Sequence, residues 1–250
     1  MKKVLTIAAM AAILPQAASA LPLVDFYAGS YYWDQGVSGD VSGTADLEKD
    51  LNLDAGGKNV TYLAFEHPIP LIPNVKLKIS DLSADGTGLL STGLTIDGET
   101  VTGAVDSVLD MSHTDYTVYW GLPLPLVTFD FGLTLRQFDG EVSSVAQSGG
   151  TPASADLDFV IPMGYLKAGI DIPLTGLSLG GDINVISIGS TGITDYDLNM
   201  TYVLPLIPLL DIGITAGYRS FDLDLDEDDF GDLSAQATID GPYLGLSLHL

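Results

Sequence analysis

The stretch "FDFGLTLRQFDG", Phe129 to Gly140, alternates apolar side chains with Asp, Gly, Thr and Arg, and "LDIGITAGYRSFDLD", Leu210 to Asp224, repeats the design. In an extended chain successive side chains point to opposite faces. Phe129, Phe131, Leu133 and Leu135 therefore form one row and Asp130, Gly132, Thr134 and Arg136 the other. Ile212, Ile214, Ala216 and Tyr218 make a second apolar row, with Arg219 on the opposite face. A strand of this kind suits a wall with hydrocarbon outside and charge inside.

The same period of two recurs along the chain. In "NVKLKIS" Val75, Leu77 and Ile79 oppose Lys76, Lys78 and Ser80; in "TDYTVYWG" Tyr116, Val118 and Trp120 oppose Asp115, Thr117 and Tyr119. "YLKAGID" sets Leu166, Ala168 and Ile170 against Tyr165, Lys167 and Asp171, and "LSLGGDINV" sets Leu177, Leu179, Ile183 and Val185 against Ser178, Gly180, Asp182 and Asn184. "TDYDLNMTY" sets Tyr196, Leu198, Met200 and Tyr202 against Asp195, Asp197, Asn199 and Thr201.

A soluble sandwich alternates too, with the apolar row inward. Three features favour a closed transmembrane barrel instead. The polar rows are rich in glycine and small residues, which suits a narrow lumen. Tyr116, Trp120, Tyr196, Tyr202 and Tyr218 stand toward segment ends, where interfacial aromatic girdles belong. Connections fall into two lengths: short, Pro-marked "HPIPLIPN", "LPLPLV", "DIPLTG" and "LPLIPLL", and long polar ones at 34–58, 84–110, 140–156, 189–193 and 225–233. Short turns belong on the periplasmic side and long loops outside. The expectation is an all-β, closed antiparallel barrel, most simply of ten strands, with eight or twelve as alternatives.

Composition agrees with segregation of charge from oil. The 250 residues hold 33 acidic against 9 basic side chains, a formal net charge of -24, yet 46% are apolar. The acidity argues against nucleic acid as a partner, since that binding depends on neutralising phosphates. With no cysteine there is neither a disulfide framework nor a thiolate site. At the start, Lys2 and Lys3, an apolar run from Val4 to Leu14 and the small residues Ala18-Ser19-Ala20 have the layout of a secretory signal over residues 1–20, leaving a single barrel domain over 21–250.

On these residues the chain resembles an uncharacterised family of Gram-negative outer-membrane β-barrel proteins. The resemblance spans nearly all of 21–250 and is carried by "DLEKDLNLD" from Asp46, "FEHPIPLIPNVKLKISDL" from Phe65, "LDMSHTDYTVYW" from Leu109, "LRQFDGEV" from Leu135, "GYRSF" from Gly217 and the closing "DGPYLGLSLHL". It implies an outer-membrane location and brings no activity or catalytic residue. Expected partners are outer-membrane lipids, lipopolysaccharide and the barrel-insertion machinery, which reads the last strand. That strand ends at Leu250 where an aromatic residue is usual. A monomer is expected.

Five of the seven basic residues outside the signal fall on inward rows: Lys76, Lys78, Arg136, Lys167 and Arg219. Glu66, Asp115, Asp130, Asp182, Asp195 and Asp197 are their inward counterparts. Rings of charge can select ions in a pore, but in a small barrel paired side chains can fill the interior. The occluded reading is preferred because both signs interleave, giving a structural or surface-interaction barrel, with a narrow pore for small solutes or ions as the alternative and a membrane-embedded lipid hydrolase as the last.

Other chemistry is thinner. His113 and Asp115 share a face, as a hydrolase base and its orienting carboxylate would, yet no nucleophile accompanies them, so a lumen hydrogen-bond network is preferred and no enzyme, cofactor or metal site is expected. "DLDLDEDDFGD" from Asp222 fails as an EF-hand loop, with Glu227 at position six and Leu233 at position twelve. Acidic loops could attract divalent cations diffusely. Leu47, Leu51 and Leu53 have helix-compatible spacing, so Asp46–Leu53 reads as a small helix capping the lumen or as an exposed loop.

Overall fold

The computed structural model describes residues 24–41, 43–69, 71–122, 124–207, 210–225 and 234–250, without the side chains of 205–207. The signal segment and its cleavage point, and most of the acidic run after Leu225, lie outside the described residues. Those described form strands and turns with no helix.

In chain order the strands are β1 (Asp25–Val41), β2 (Ala45–Asp46), β3 (Leu53–Asp54), β4 (Gly56–Glu66), β5 (Asn74–Ser80), β6 (Ser83–Ile96), β7 (Glu99–Asp110) and β8 (His113–Gly121). They continue as β9 (Val127–Phe138), β10 (Gly140–Ala146), β11 (Ala153–Leu157), β12 (Val160–Ile172), β13 (Leu177–Ile188), β14 (Thr191–Ile207), β15 (Leu210–Leu225) and β16 (Ala235–His249). Around the wall the order is β1-β4-β5-β8-β9-β12-β13-β14-β15-β16, and β16 returns to β1. Every pairing is antiparallel, from Tyr27 opposite His249 to Val41 opposite Ala235 at the closing seam. This is the closed ten-strand antiparallel barrel expected, with the short β2 added on β1.

The outer rows are where the sequence puts them. Leu133 is 59% exposed, and Phe129, Phe131 and Leu135 stand beside it in the open. Leu198, Met200, Ile214, Leu244 and Leu246 continue the exposed apolar band on β14, β15 and β16. Tyr116, Trp120, Tyr202 and Tyr218 are exposed on the same outer face. An apolar belt of this extent would be unfavourable in water, and closure leaves no unpaired strand edge within the wall.

The long connections differ from expectation. Segments 84–110 and 140–156 are not irregular loops: they form a second sheet, ordered β11-β10-β7-β6-β3. It extends the wall. Strand β5 passes into β6 through Asp81 and Leu82, β7 into β8 through Met111 and Ser112, and β9 into β10 through Asp139. Bonds stitch the junction: Met111 N donates to Leu82 O (2.8 Å) and Asp139 N to Ser112 O (3.0 Å). The β6–β7 hairpin turns on Asp97 and Gly98, both at positive φ (47° and 80°). That is the two-residue turn whose twist matches antiparallel strands and which Asp-Gly favours.

Along β15 and β16 the polarity of the two faces changes while the period holds. On β15 the inward row reads Gly213, Thr215, Gly217, Arg219, Phe221, with Phe221 fully buried. On β16 outward Leu246 and Leu244 give way to Asp240 and Thr238, and inward Gly245 and Tyr243 give way to buried Ile239 and Ala237. Beyond the reversal the interior is an ordinary apolar core. Val37, Leu82, Leu94, Ile96, Val101, Val105 and Leu109 pack there.

The Asp46–Leu53 segment closes this core. It forms a turn, not a helix: the amides of Asp50 and Leu51 both donate to Asp46 O. Leu47 (1% exposed), Leu51 and Leu53 are buried in the cluster. The small helix expected here is absent, and the segment is a turn that packs its three leucines inward.

Candidate functional site: a charged lumen and its cavity

Below the apolar core, inward rows of the wall converge on an ionic cluster. Arg136 on β9 grips Asp115 on the adjacent β8 with two bonds, Nε to Oδ1 at 2.7 Å and Nη2 to Oδ2 at 2.8 Å. Its Nη2 also reaches Asp195 Oδ2 on β14 at 2.5 Å. Arg219 on β15 grips Asp195 in the same bidentate way, Nε to Oδ1 at 2.8 Å and Nη2 to Oδ2 at 2.7 Å. Both guanidinium groups are wholly buried. The planar two-pronged geometry accounts for arginine rather than lysine here. Lys78 Nζ adds a third cation, 3.9 Å from Asp115 and 3.8 Å from Asp195, beyond hydrogen-bond reach of either.

Aromatic rings roof the cluster. The Arg219 guanidinium carbon lies 4.7 Å from the Trp33 ring centre, and that of Arg136 lies 5.6 Å from Phe221. His113 packs against Phe138 and Phe221. Its Nδ1 is 2.9 Å from Met111 O. A carbonyl only accepts, so Nδ1 carries the proton and Nε2 is left to accept from Arg219 Nη2 at 3.4 Å. His113 and Asp115 therefore share a face, as expected, without forming a base–carboxylate dyad.

Toward the turn rim the remaining inward charges occupy a looser zone. Lys76 Nζ donates to Asp182 Oδ2 at 2.9 Å, and Lys167 Nζ stands 3.4 Å from Asp130 Oδ2. Glu66 accepts from the Tyr119 hydroxyl at 2.7 Å, and Asp197 from Tyr243 and Asn199, both at 2.8 Å. The eleven charged side chains stand on inward rows of the described strands. Nine of them join in ion pairs, whereas Glu66 and Asp197 take neutral partners.

Alternation puts Tyr119 and Tyr165 on inward rows, but it does not show their grouping with four more tyrosines. Tyr27, Tyr31, Tyr62, Tyr119, Tyr165 and Tyr243 line a cavity of about 180 Å³ in this lower zone. Five of the six lie directly across from a glycine: Tyr31 from Gly245, Tyr62 from Gly29, Tyr119 and Tyr165 from Gly132, and Tyr243 from Gly217. A Cβ at Gly29 or Gly217 would collide with the facing ring, and one at Gly132 or Gly245 with the strand backbone and the root of the facing tyrosine. Inward glycines thus make room for tyrosines, and the recurrence of Gly opposite Tyr is the pattern that betrays this in the sequence.

His113, Asp115 and Asp195 bring potential ligand atoms within 4.8 Å of one another. Arg136, Arg219 and Lys78 already sit against those two carboxylates, so no negative charge is left over for a divalent ion.

No family model and no curated protein matches the chain. Among solved structures it overlaps the outer membrane protease OmpT from Escherichia coli, at a TM-score of 0.43 and 8% identity over 92% of this chain and 98% of that one. It also overlaps the Pseudomonas putida toluene transporter TodX (0.36, 10% identity, 96% and 93%) and the β domain of the Bordetella autotransporter BrkA (0.35, 9% identity, 91% and 98%). The barrel assignment rests on the strand pairing, not on these overlaps.

Proposed function

We propose that this chain is an integral outer-membrane barrel of a Gram-negative bacterium whose lumen is closed, and that it serves as a membrane-anchored, non-catalytic surface scaffold. The observation that carries this is the ionic cluster spanning the full width of the lumen beneath an apolar core. A permeating ion would have to part Arg136 from Asp115 and Asp195, leaving charges unpaired in a low-dielectric interior. It would then have to cross an apolar region with nothing to replace its hydration shell.

The Pro-marked turn rim then faces the periplasm and the β6–β7 and β10–β11 hairpins face outward. Outside the lumen the described staves and extension carry Lys49 and Lys58 as their basic residues against many acidic ones. Such a surface repels anionic polymers and suits divalent-cation bridging to lipopolysaccharide. Leu244, Leu246 and Leu248 on the final strand form the row offered to the insertion machinery, and the barrel acts as a monomer.

Planar-bilayer recording of the refolded chain tests the reading. Silent membranes are expected from barrels shown to be inserted by protease protection. Discrete conductance steps that vanish on Lys76 or Arg136 substitution would replace it with the narrow-pore alternative.

A further inference from the structure

Beneath the ionic cluster the cavity of about 180 Å³ is not merely residual space. Its charged lining balances, with Lys76, Lys78 and Lys167 against Glu66, Asp182 and Asp197. Within that balance several strong hydrogen-bonding groups are left unfilled. The Tyr165 hydroxyl has no protein partner although the residue is only 2% exposed, and Asp182 Oδ1 has none either. Lys78 is buried, lines the cavity, and keeps its ammonium 3.8 Å or more from the carboxylates around it.

Buried polar groups are nearly always satisfied, by protein, water or ligand. Here an ammonium with free donors and a carboxylate oxygen with free lone pairs share one chamber walled by tyrosines. A ligand with a single charge would upset the balance of the lining. A compact zwitterion would preserve it, since each end meets its opposite. The volume is comparable with cavities of roughly 150 Å³ that hold one benzene-sized molecule.

We propose that this lumenal cavity binds a small zwitterion of amino-acid size, its carboxylate on Lys78 and its ammonium against Asp182, with the Tyr165 hydroxyl bonding it between them. The partly exposed Glu66 and Lys167 mark its mouth, near the turn rim. The proposal does not depend on whether the barrel conducts.

Isothermal titration of the full refolded chain in detergent with L-alanine and L-proline tests it, with acetate and ethylamine as single-charge controls. Saturable binding of an amino acid, at least about tenfold tighter than either control, is expected, since a bond to a charged group is worth a tenfold step or more. Tyr165→Phe removes only a hydroxyl that makes no hydrogen bond within the protein, so it keeps the fold and should weaken binding several-fold. Lys78→Met and Asp182→Asn should each weaken it more, the first converting residual preference toward ethylamine and the second toward acetate. Equal binding of acetate and alanine would overturn the proposal in favour of a plain anion site. No saturable heat with any probe, from protein whose strand content is confirmed by circular dichroism, would mean the cavity holds water only.

Discussion

Arg219 on β15 lies 3.4 Å from His113 on β8, and in this ring of ten staves those two strands are diametrically opposed. Lys78 on β5 and Asp195 on β14, 3.8 Å apart, are diametrically opposed as well. The lumen at this height is therefore no wider than two side chains meeting end to end. One consequence is that the cluster braces the wall across its diameter, which backbone bonds between neighbouring strands cannot do.

Removing one brace should be costly. In Arg136→Met the Asp115 carboxylate, buried to within 1% of completely, loses both bonds of its bidentate partner and keeps only the more distant Lys78. Breaking a buried pair by deleting one member costs about 3–5 kcal/mol. Equilibrium urea unfolding in lipid vesicles should show a loss of that size. Arg136→Met with Asp115→Leu should recover much of it, because the stranded charge is gone.

The reversal of face polarity along the staves fixes where lipid ends. Leu133→Arg puts a cation in the middle of the outer apolar row on β9, where a charge facing the bilayer midplane costs about 2–4 kcal/mol. Thr102 is also outward and exposed, but it sits on β7 in the extension. Thr102→Arg should change stability by no more than about 0.5 kcal/mol. Similar losses at both positions, read from unfolding midpoints in vesicles, would place the extension in lipid and contradict the reversal.

How much of this was legible from residues alone follows the same physics. Alternation reports which side chains share a face, so the inward positions of Arg136, Arg219, Asp115 and Asp195 could be read directly. It does not report which face is wet. Around Leu94, Ile96, Val101 and Val105 the apolar row turns inward, and the intervening Gly, Ser, Thr and Asp give the segment the composition of a loop. The signal that could have corrected this is Asp97-Gly98 between two short alternating runs, a hairpin turn in plain view. Cross-lumen pairs lay out of reach, because nothing local says that Arg136 on β9 meets Asp195 on β14.

The Asp46 turn carries a pH dependence. Its carboxylate accepts from the Lys49 ammonium at 2.5 Å and from the amides of Lys49 and Glu48. The Lys49 bond, then the amides, hold it below the usual carboxylate range, and the same contact raises Lys49. A depressed carboxyl stabilises above its unfolded value and loses that contribution as pH falls through the folded one. Lys49, being raised, contributes below the ordinary lysine range and loses its share as pH climbs past it. Both groups are solvent-exposed, so the effect is local. Hydrogen exchange at the Lys49 and Leu51 amides, corrected for intrinsic rate, should speed up as Asp46 protonates. Asp46→Asn should flatten that response.

Glycine opposite tyrosine supplies the sharpest packing test. A Cβ on Gly217 would fall on the Tyr243 ring and on the backbone oxygen of Leu198. The ring can swing aside; the strand oxygen belongs to the ladder and cannot. Gly217→Ala should therefore cost about 1–3 kcal/mol, the usual range for overpacking, and should displace the Tyr243 hydroxyl from Asp197. Gly164 on β12 is the control, since a Cβ there meets nothing nearer than Val185 O at 3.7 Å. Gly164→Ala should be neutral or slightly stabilising, because it narrows the unfolded ensemble without strain. Urea midpoints rank the two, and near-ultraviolet circular dichroism follows the tyrosine. If Gly217→Ala were as benign as Gly164→Ala, with the tyrosine signal unmoved, Tyr243 would not lie over Gly217, and the packing that shapes the cavity would have to be redrawn.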